Sequence, residues 1–142
     1  MKVISYLNFD GNCGPAMTFY QSVLGGELIT MPYGDTPMAA DMPDMADKMA
    51  HACLMGDGWT IMASDCPAGT FEPMKGMNIS IHAPTVEQAR EYFNGLAEGG
   101  TVIMGFEETF WSKGFGMVTD KFGTPWMVNT DLDQNSDQGC SN

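Results

Sequence analysis

One stretch of this chain is written twice. Residues 16–28, AMTFYQSVLGGEL, lie over residues 89–102, AREYFNGLAEGGTV, with Phe19-Tyr20 on Tyr92-Phe93 and, after a one-residue insertion, Gly25-Gly26 on Gly99-Gly100. Gly58 to Met62 and Gly123 to Met127 repeat the same spacing further on. A unit of this size that recurs is one supersecondary module used twice, so whatever folds around the first copy must also fold around the second.

The flanking patterns say what the module is. Residues 2–9 alternate, with Val3, Ser5, Leu7 and Phe9 on one face, and stop at the turn formers Asp10-Gly11-Asn12, which reads as a strand. Ala16, Phe19, Tyr20, Val23 and Leu24 then recur at helical spacing behind Pro15, read as the first helical position, and Gly25-Gly26 ends the helix. Residues 27–33 read as a short strand, and residues 51–65 as a hairpin turning at Gly56-Asp57-Gly58. Residues 66–76, with two prolines and two glycines, read as a linker. The second copy opens with the strand MNISIHA, and Thr85 with Gln88 three residues on has the form of a capping box. Val86, Ala89, Phe93, Leu96 and Ala97 make its helical stripe, and TVIMGFE then resumes a strand. Segments 115–120 and 124–131 flank Lys121-Phe122-Gly123 as a last hairpin. The expectation is an α+β chain of two β-α-β-β-β modules, about 1–66 and 76–131. Residues 132–142, apolar only at Leu132 and Cys140, are expected to form a flexible tail.

Composition narrows the partners. Eighteen acidic against six basic side chains give a formal charge of −12, which repels phosphate backbones and anionic lipid heads, so neither nucleic acid nor a membrane is expected. No apolar run approaches the ~18 residues of a membrane span, and MKVISYLNFDGN lacks the apolar core of a secretory signal. A cytoplasmic protein is the expectation. Cys13, Cys53, Cys66 and Cys140 are spaced for neither a redox pair nor a structural zinc site. There is also no G-x-G-x-x-G, Walker A, G-x-S-x-G or H-E-x-x-H, so nucleotide, serine-hydrolase and zincin chemistry have no motif behind them.

In order along the chain stand FDGN, FYQSVLGGE, MPYGD, AHA, MASD, GG, ETFW, FG and D-x-FG-x-x-WMVN. With these motifs the doubled plan resembles the vicinal oxygen chelate superfamily of glyoxalase I, bleomycin-resistance proteins and extradiol dioxygenases. More narrowly it is similar to the PhnB-like branch, also labelled 3-demethylubiquinone-9 3-methyltransferase-like. The resemblance implies two modules whose sheets curl into an incomplete barrel around a cup, and a homodimer. In metal-dependent relatives, His, Gln or Glu side chains on four strands hold one divalent ion that acts as a Lewis acid. Carried over position by position, the resemblance puts those ligands at Ser5, Met62, Asn78 and Met127. None of these is His, Glu or Asp, and thioethers are soft donors that a hard ion does not favour. A two-residue shift keeps strand faces and brings in Ser64, Ser80 or His82, and Asn129 instead. The methyltransferase label has no glycine-rich cofactor loop behind it.

The remaining candidates each carry a plain and a chemical reading. His51 and His82 are the two imidazoles. Each reads as a hydrogen-bonded structural residue, or, for His51 beside the cup, as a catalytic general base. Asp65, Glu107 and Glu108 read as solvated loop carboxylates or as a converging acidic pair. Phe110 and Trp111 read as core, interface or pocket lining. Met38, Met42, Met45 and Met49 fall at spacings that align on one helix face if Pro43 opens the helix. They read as packing, as a lid, or as a soft copper(I) site. The expected ligand pocket is therefore Ser5, His51, Met62, Asn78, Ser80, Phe110, Trp111 and Met127. It would hold a small molecule with no cofactor and no resident metal; a divalent-metal lyase, isomerase or dioxygenase is the alternative, and a non-catalytic interaction module the third class.

Overall fold

The computed structural model describes residues 1–130, so the expected tail at 132–142 lies outside the described residues. The elements are β1 (Ser5–Phe9), α1 (Cys13–Leu24), β2 (Glu27–Pro32), β3 (Met49–Gly56), β4 (Trp59–Asp65), β5 (Ile79–Ala83), α2 (Val86–Ala97), β6 (Thr101–Glu107), β7 (Gly114–Thr119) and β8 (Pro125–Thr130). The chain divides into two compact units, Met1–Pro73 and the residues from Met74 onward, and the boundary falls inside the stretch read as a linker. Each unit is the same β-α-β-β-β module.

In the first unit the sheet order is β1-β4-β3-β2, with β1 parallel to β4 and the other pairs antiparallel. In the second it is β5-β8-β7-β6, again with one parallel pair, β5 with β8. The parallel pair follows from the plan: a helix must carry the chain back before the next strand can run the same way.

One face of each sheet packs on its helix. In the first unit that face is Leu7, Phe9, Ala52, Leu54, Ile61 and Ala63, closed by Cys13, Ala16, Met17 and Tyr20 of α1. In the second it is Ala83, Val118, Trp126 and Val128 under Ala89, Phe93 and Leu96 of α2. Met17, outside the expected stripe, is fully buried, whereas Phe19, Val23 and Leu24 are half-buried, and α1 starts at Cys13 and not at Pro15.

The repeated Gly-Gly pairs have a steric cause. A Cβ on Gly26 would run into the carbonyl oxygen of Met55, and one on Gly100 into that of Thr119, so the chain leaves each helix by passing directly over the neighbouring strand end. Only glycine allows that approach.

Helix α1 has no local side-chain cap at Asn12. Its first N–H, from Cys13, donates instead to Asp65 Oδ1 at 2.9 Å, across 52 residues of sequence. Asp65 Oδ2 accepts the Met49 N–H at 2.8 Å where β3 begins, and the Asp65 carbonyl accepts from the Tyr33 hydroxyl at 2.9 Å. Asp65 is 1% exposed, so the reading of this residue as a solvated loop carboxylate is corrected: it is a buried cap on a helix N-terminus, where negative charge is favoured. Glu107 and Glu108 are exposed, in keeping with the plain reading. Helix α2 is capped locally, Thr85 Oγ1 accepting from Gln88 N–H at 3.2 Å, while the Gln88 side chain turns away to the Tyr92 hydroxyl and leaves the capping box half made.

The methionine stripe does not form one helix. Residues 33–45 make three short 3-10 turns, Tyr33–Asp35, Pro37–Ala40 and Pro43–Met45, and Met49 already belongs to β3. Pro37 and Pro43 each open a new turn and deny the preceding turn the N–H that would extend it.

The edge strands β2 and β6 carry exposed apolar side chains, Ile29 and Met31 on the first and Val102, Ile103 and Met104 on the second. Among the described residues no helix is long and apolar enough to cross a membrane.

Replacing Asp65 by Ala strands two backbone N–H donors, and each costs about 1–3 kcal/mol when buried without a partner. Urea unfolding of Asp65→Ala is therefore expected to read a loss of about 3 kcal/mol, with Asp65→Asn losing less because one acceptor oxygen remains.

Candidate functional site

The sheet face away from each helix carries the polar side chains. In the first unit, register sets Tyr6, Met62 and Cys53 in one row across β1, β4 and β3. Asn8, Ser64 and His51 have the same parity. The Tyr6 hydroxyl lies 3.3 Å from His51 Nδ1, and the two rings stand 5.9 Å apart, tilted by 30°. Tyr6 thus reaches across β4 to a strand it does not pair with, over the neighbourhood of Met62 and Ser64.

In the second unit, Ser80 is in register with Met127 and His82 with Asn129. On β7, Met117 continues the first row and Phe115 the second. His82 Nε2 lies 3.1 Å from Ser80 Oγ, and His82 Nδ1 lies 3.4 Å from Asn129 Nδ2. The other end of that amide, Asn129 Oδ1, is buried and has no hydrogen-bond partner.

Beside this row the loop 108–113 projects two aromatic rings. Phe110 is 91% exposed and Trp111 44% exposed; they meet edge to face at 4.6 Å, and Trp111 leans on Phe115 at 5.4 Å. Exposure of that size corrects a core reading for Phe110. The loop is pinned at its base: Thr109 N–H donates to the Ser112 carbonyl at 2.9 Å. The fully buried Ser112 hydroxyl accepts from Gly114 N–H at 3.1 Å and reaches the Thr130 carbonyl.

Of the eight expected pocket residues, His51 and Met62 stand on the open face of the first sheet, and Ser80 and Met127 on that of the second. Phe110 and Trp111 stand at the second sheet's rim. Ser5 does not join them: it is paired with Ile61 and has the parity of Leu7 and Phe9, the helix side. The cause is a one-residue slip in the first strand, which flips a side chain to the other face. Asn78 shares the parity of Ser80 but lies just outside β5, exposed. The two-residue shift weighed on sequence reaches Ser64, Ser80, His82 and Asn129, all on open faces. Sequence reasoning gave no role to Tyr6 and Asn8, and read Phe115 only as core or interface. Alternation alone identifies them once the buried Leu7, Phe9 and Val118 fix the opposite parity.

The donors at the inner positions of these faces are phenol, amide, hydroxyl, thioether, thiol and one imidazole per sheet, and register adds a single carboxylate at each far edge strand, Glu27 on β2 and Glu107 on β6. A hard divalent ion wants carboxylates or several imidazoles, and this set does not fit one. Among the described residues no three of His, Cys, Asp or Glu stand together in a way that could hold a metal ion.

Cysteine supplies no ready nucleophile on the helix side. Burial, with the Asp65 carboxylate beside it, pushes the Cys13 thiol up to about 12, and the same two causes, in the same order, raise the Tyr33 phenol. The sign for stability follows. The unfolded thiol ionises near 9 and the folded one near 12, so in alkali the unfolded chain holds fewer protons and stability falls as pH rises through that window.

Two outcomes are expected. Between pH 9 and 11 the wild type loses up to ~1.4 kcal/mol per pH unit from this group, and Cys13→Ala loses correspondingly less in urea titrations. Phe110→Ser changes stability by under about 0.5 kcal/mol, whereas Phe115→Ala, at a buried position, costs about 3 kcal/mol in the same assay.

Residues 1–129 match the family described as 3-demethylubiquinone-9 3-methyltransferase. The chain is similar to protein YjdN of Escherichia coli K12, 38% identical over 141 residues, covering 91% of this chain and 95% of that one. It is also similar to protein PA1353 of Pseudomonas aeruginosa, with 44% identity, a TM-score of 0.86, and coverage of 94% of this chain and 99% of that one. A PhnB protein of Bacillus cereus, carrying the same family description, matches with 26% identity and a TM-score of 0.75 over 92% of this chain and 99% of its own. A glyoxalase/bleomycin resistance protein/dioxygenase family enzyme of Burkholderia phytofirmans shares the fold at 17% identity, with a TM-score of 0.64 over 90% and 98% of the two chains.

Proposed function

This chain belongs to the PhnB-like, 3-demethylubiquinone-9 3-methyltransferase-like branch of the vicinal oxygen chelate superfamily, and from that membership we propose that it binds a small organic molecule on its open sheet faces without a resident metal ion. The observation that carries the reading is the donor set. The positions that face away from the helices hold Tyr6, Asn8, His51 and Ser64 in one unit and Ser80, His82 and Asn129 in the other, with no carboxylate on β1, β4, β5 or β8 at those positions.

Such groups orient a ligand through neutral hydrogen bonds, and a thioether on each face, Met62 on the first and Met127 on the second, gives adaptable apolar contact beside them. Phe110 and Trp111 add flat apolar area beside the second face, where a planar ligand gains contact. On this reading the family's methyltransferase label describes ancestry and not the reaction, and sequestration without metal-dependent turnover is the activity. A homodimer in the cytoplasm belongs to the same proposal, and sedimentation velocity on the full chain checks the dimer.

Elemental analysis tests the central claim. Protein purified without chelator and without a metal-affinity tag, then incubated with manganese, nickel and zinc and desalted, is expected to retain well under one metal ion per chain. A stoichiometric ion overturns the reading and moves it to metal-dependent lyase, isomerase or dioxygenase chemistry.

A further inference from the structure

On the open face of the second sheet, three side chains stand in an order that has a chemical meaning of its own. His82 turns Nε2 to the Ser80 hydroxyl at 3.1 Å and Nδ1 to the Asn129 amide at 3.4 Å. A nucleophile, a base and an orienting group use those same two ring nitrogens in that assignment, and such a set is recognised by geometry and not by sequence spacing. Ser80 and His82 are exposed, two residues apart on one strand, so an acyl donor reaches the hydroxyl from solvent.

We propose that Ser80, His82 and Asn129 form a nucleophilic relay that accepts an acyl group from a small activated ester or thioester. The Asn129 amide decides the tautomer. With Nδ2 toward the ring it donates to Nδ1, and the imidazole then carries its proton on Nε2, where it cannot take one from Ser80. Asn129 Oδ1, buried without a partner, is the group that a half-turn of the amide brings onto Nδ1. Nδ1–H then donates to it, and Nε2 is left as the acceptor that the serine needs.

In that state Ser80 Oγ forms a bond to the ester carbonyl carbon as His82 Nε2 takes the hydroxyl proton. The bond from that carbon to the leaving oxygen or sulfur breaks, the electron pair departs with the leaving group, and the imidazolium returns its proton to it. Water attacking the acyl-serine, with the same imidazole taking and giving the proton, frees a carboxylic acid and restores the hydroxyl. Ser80 and His82 touch the reacting atoms, and Asn129 is a positioning residue that acts through His82.

The inference does not need the binding reading, since p-nitrophenyl acetate is small enough to reach an exposed hydroxyl without a formed pocket. With that probe the full chain is expected to release p-nitrophenol and to carry one acetyl group on the peptide containing Ser80, located by mass spectrometry. Ser80→Ala removes that label, and His82→Gln slows its appearance by about 10²-fold, the usual worth of a positioned general base. Asn129→Asp, which can only accept from Nδ1–H, labels at least as fast as the wild type, whereas Asn129→Leu labels more slowly. A role confined to packing would not separate those two variants. Acetyl found only on lysines, or a Ser80 label unchanged in His82→Gln, overturns the proposal. Neither result touches the metal content on which the binding reading stands.

Discussion

A buried carboxylate at the end of β4 organises the first half of the molecule. Asp65 holds the first N–H of α1 and the first N–H of β3, and its own carbonyl holds the Tyr33 hydroxyl at the start of the turn-rich segment. Charged acceptors give stronger hydrogen bonds than neutral ones, and a helix N-terminus is where a negative group is favoured. Three chain segments that meet nowhere in sequence therefore share one electrostatic anchor beside the α1 stripe. The second unit distributes the same work. Thr85 caps α2, the fully buried Ser112 ties the aromatic loop to β7 and β8, and Asp120 takes the N–H groups of Phe122 and Thr124 together with the Trp126 ring N–H.

This division explains what was legible beforehand. The doubled module, both helices, both hairpins and the linker follow from periodicity and glycine placement, which are local signals, and the structure carries them all. Asp65 was not legible as a cap because its partners lie 52 and 16 residues away, and no local pattern marks a cap supplied across a sheet. The methionine stripe misled for a related reason: helical spacing was present, but two prolines cut the backbone ladder that the spacing presupposes. Ser5 misled by one residue because the ligand position was carried over from the resemblance, although alternation already set Ser5 on the face of Leu7 and Phe9. Ser80, Met127 and His51 stand on open faces, since β-strand alternation is strict wherever a buried neighbour sets it.

The two copies have diverged on the side that does not hold them together. By register Asn8 and Ser64 answer to His82 and Asn129, so the imidazole has moved from β3 in one unit to β5 in the other while the helix-facing core at Leu7, Ala63, Val118 and Val128 stays apolar. In the first unit histidine meets a tyrosine from two strands away; in the second it meets a serine on its own strand and an amide next door. Packing constrains one face of each sheet and leaves the other open to chemistry, which is why one architecture serves unrelated functions.

The apolar side chains on β2 and β6 have a consequence for handling the molecule. An edge strand with Val, Ile and Met toward solvent is a template for pairing with another sheet. At low ionic strength the charge of −12 keeps copies apart, because like-charged surfaces repel over roughly 10 Å or more. In about 1 M salt that reach shrinks to about 3 Å. The same edges then meet with little opposition, so the colloidal behaviour of this acidic chain is governed by its counterions as much as by its fold.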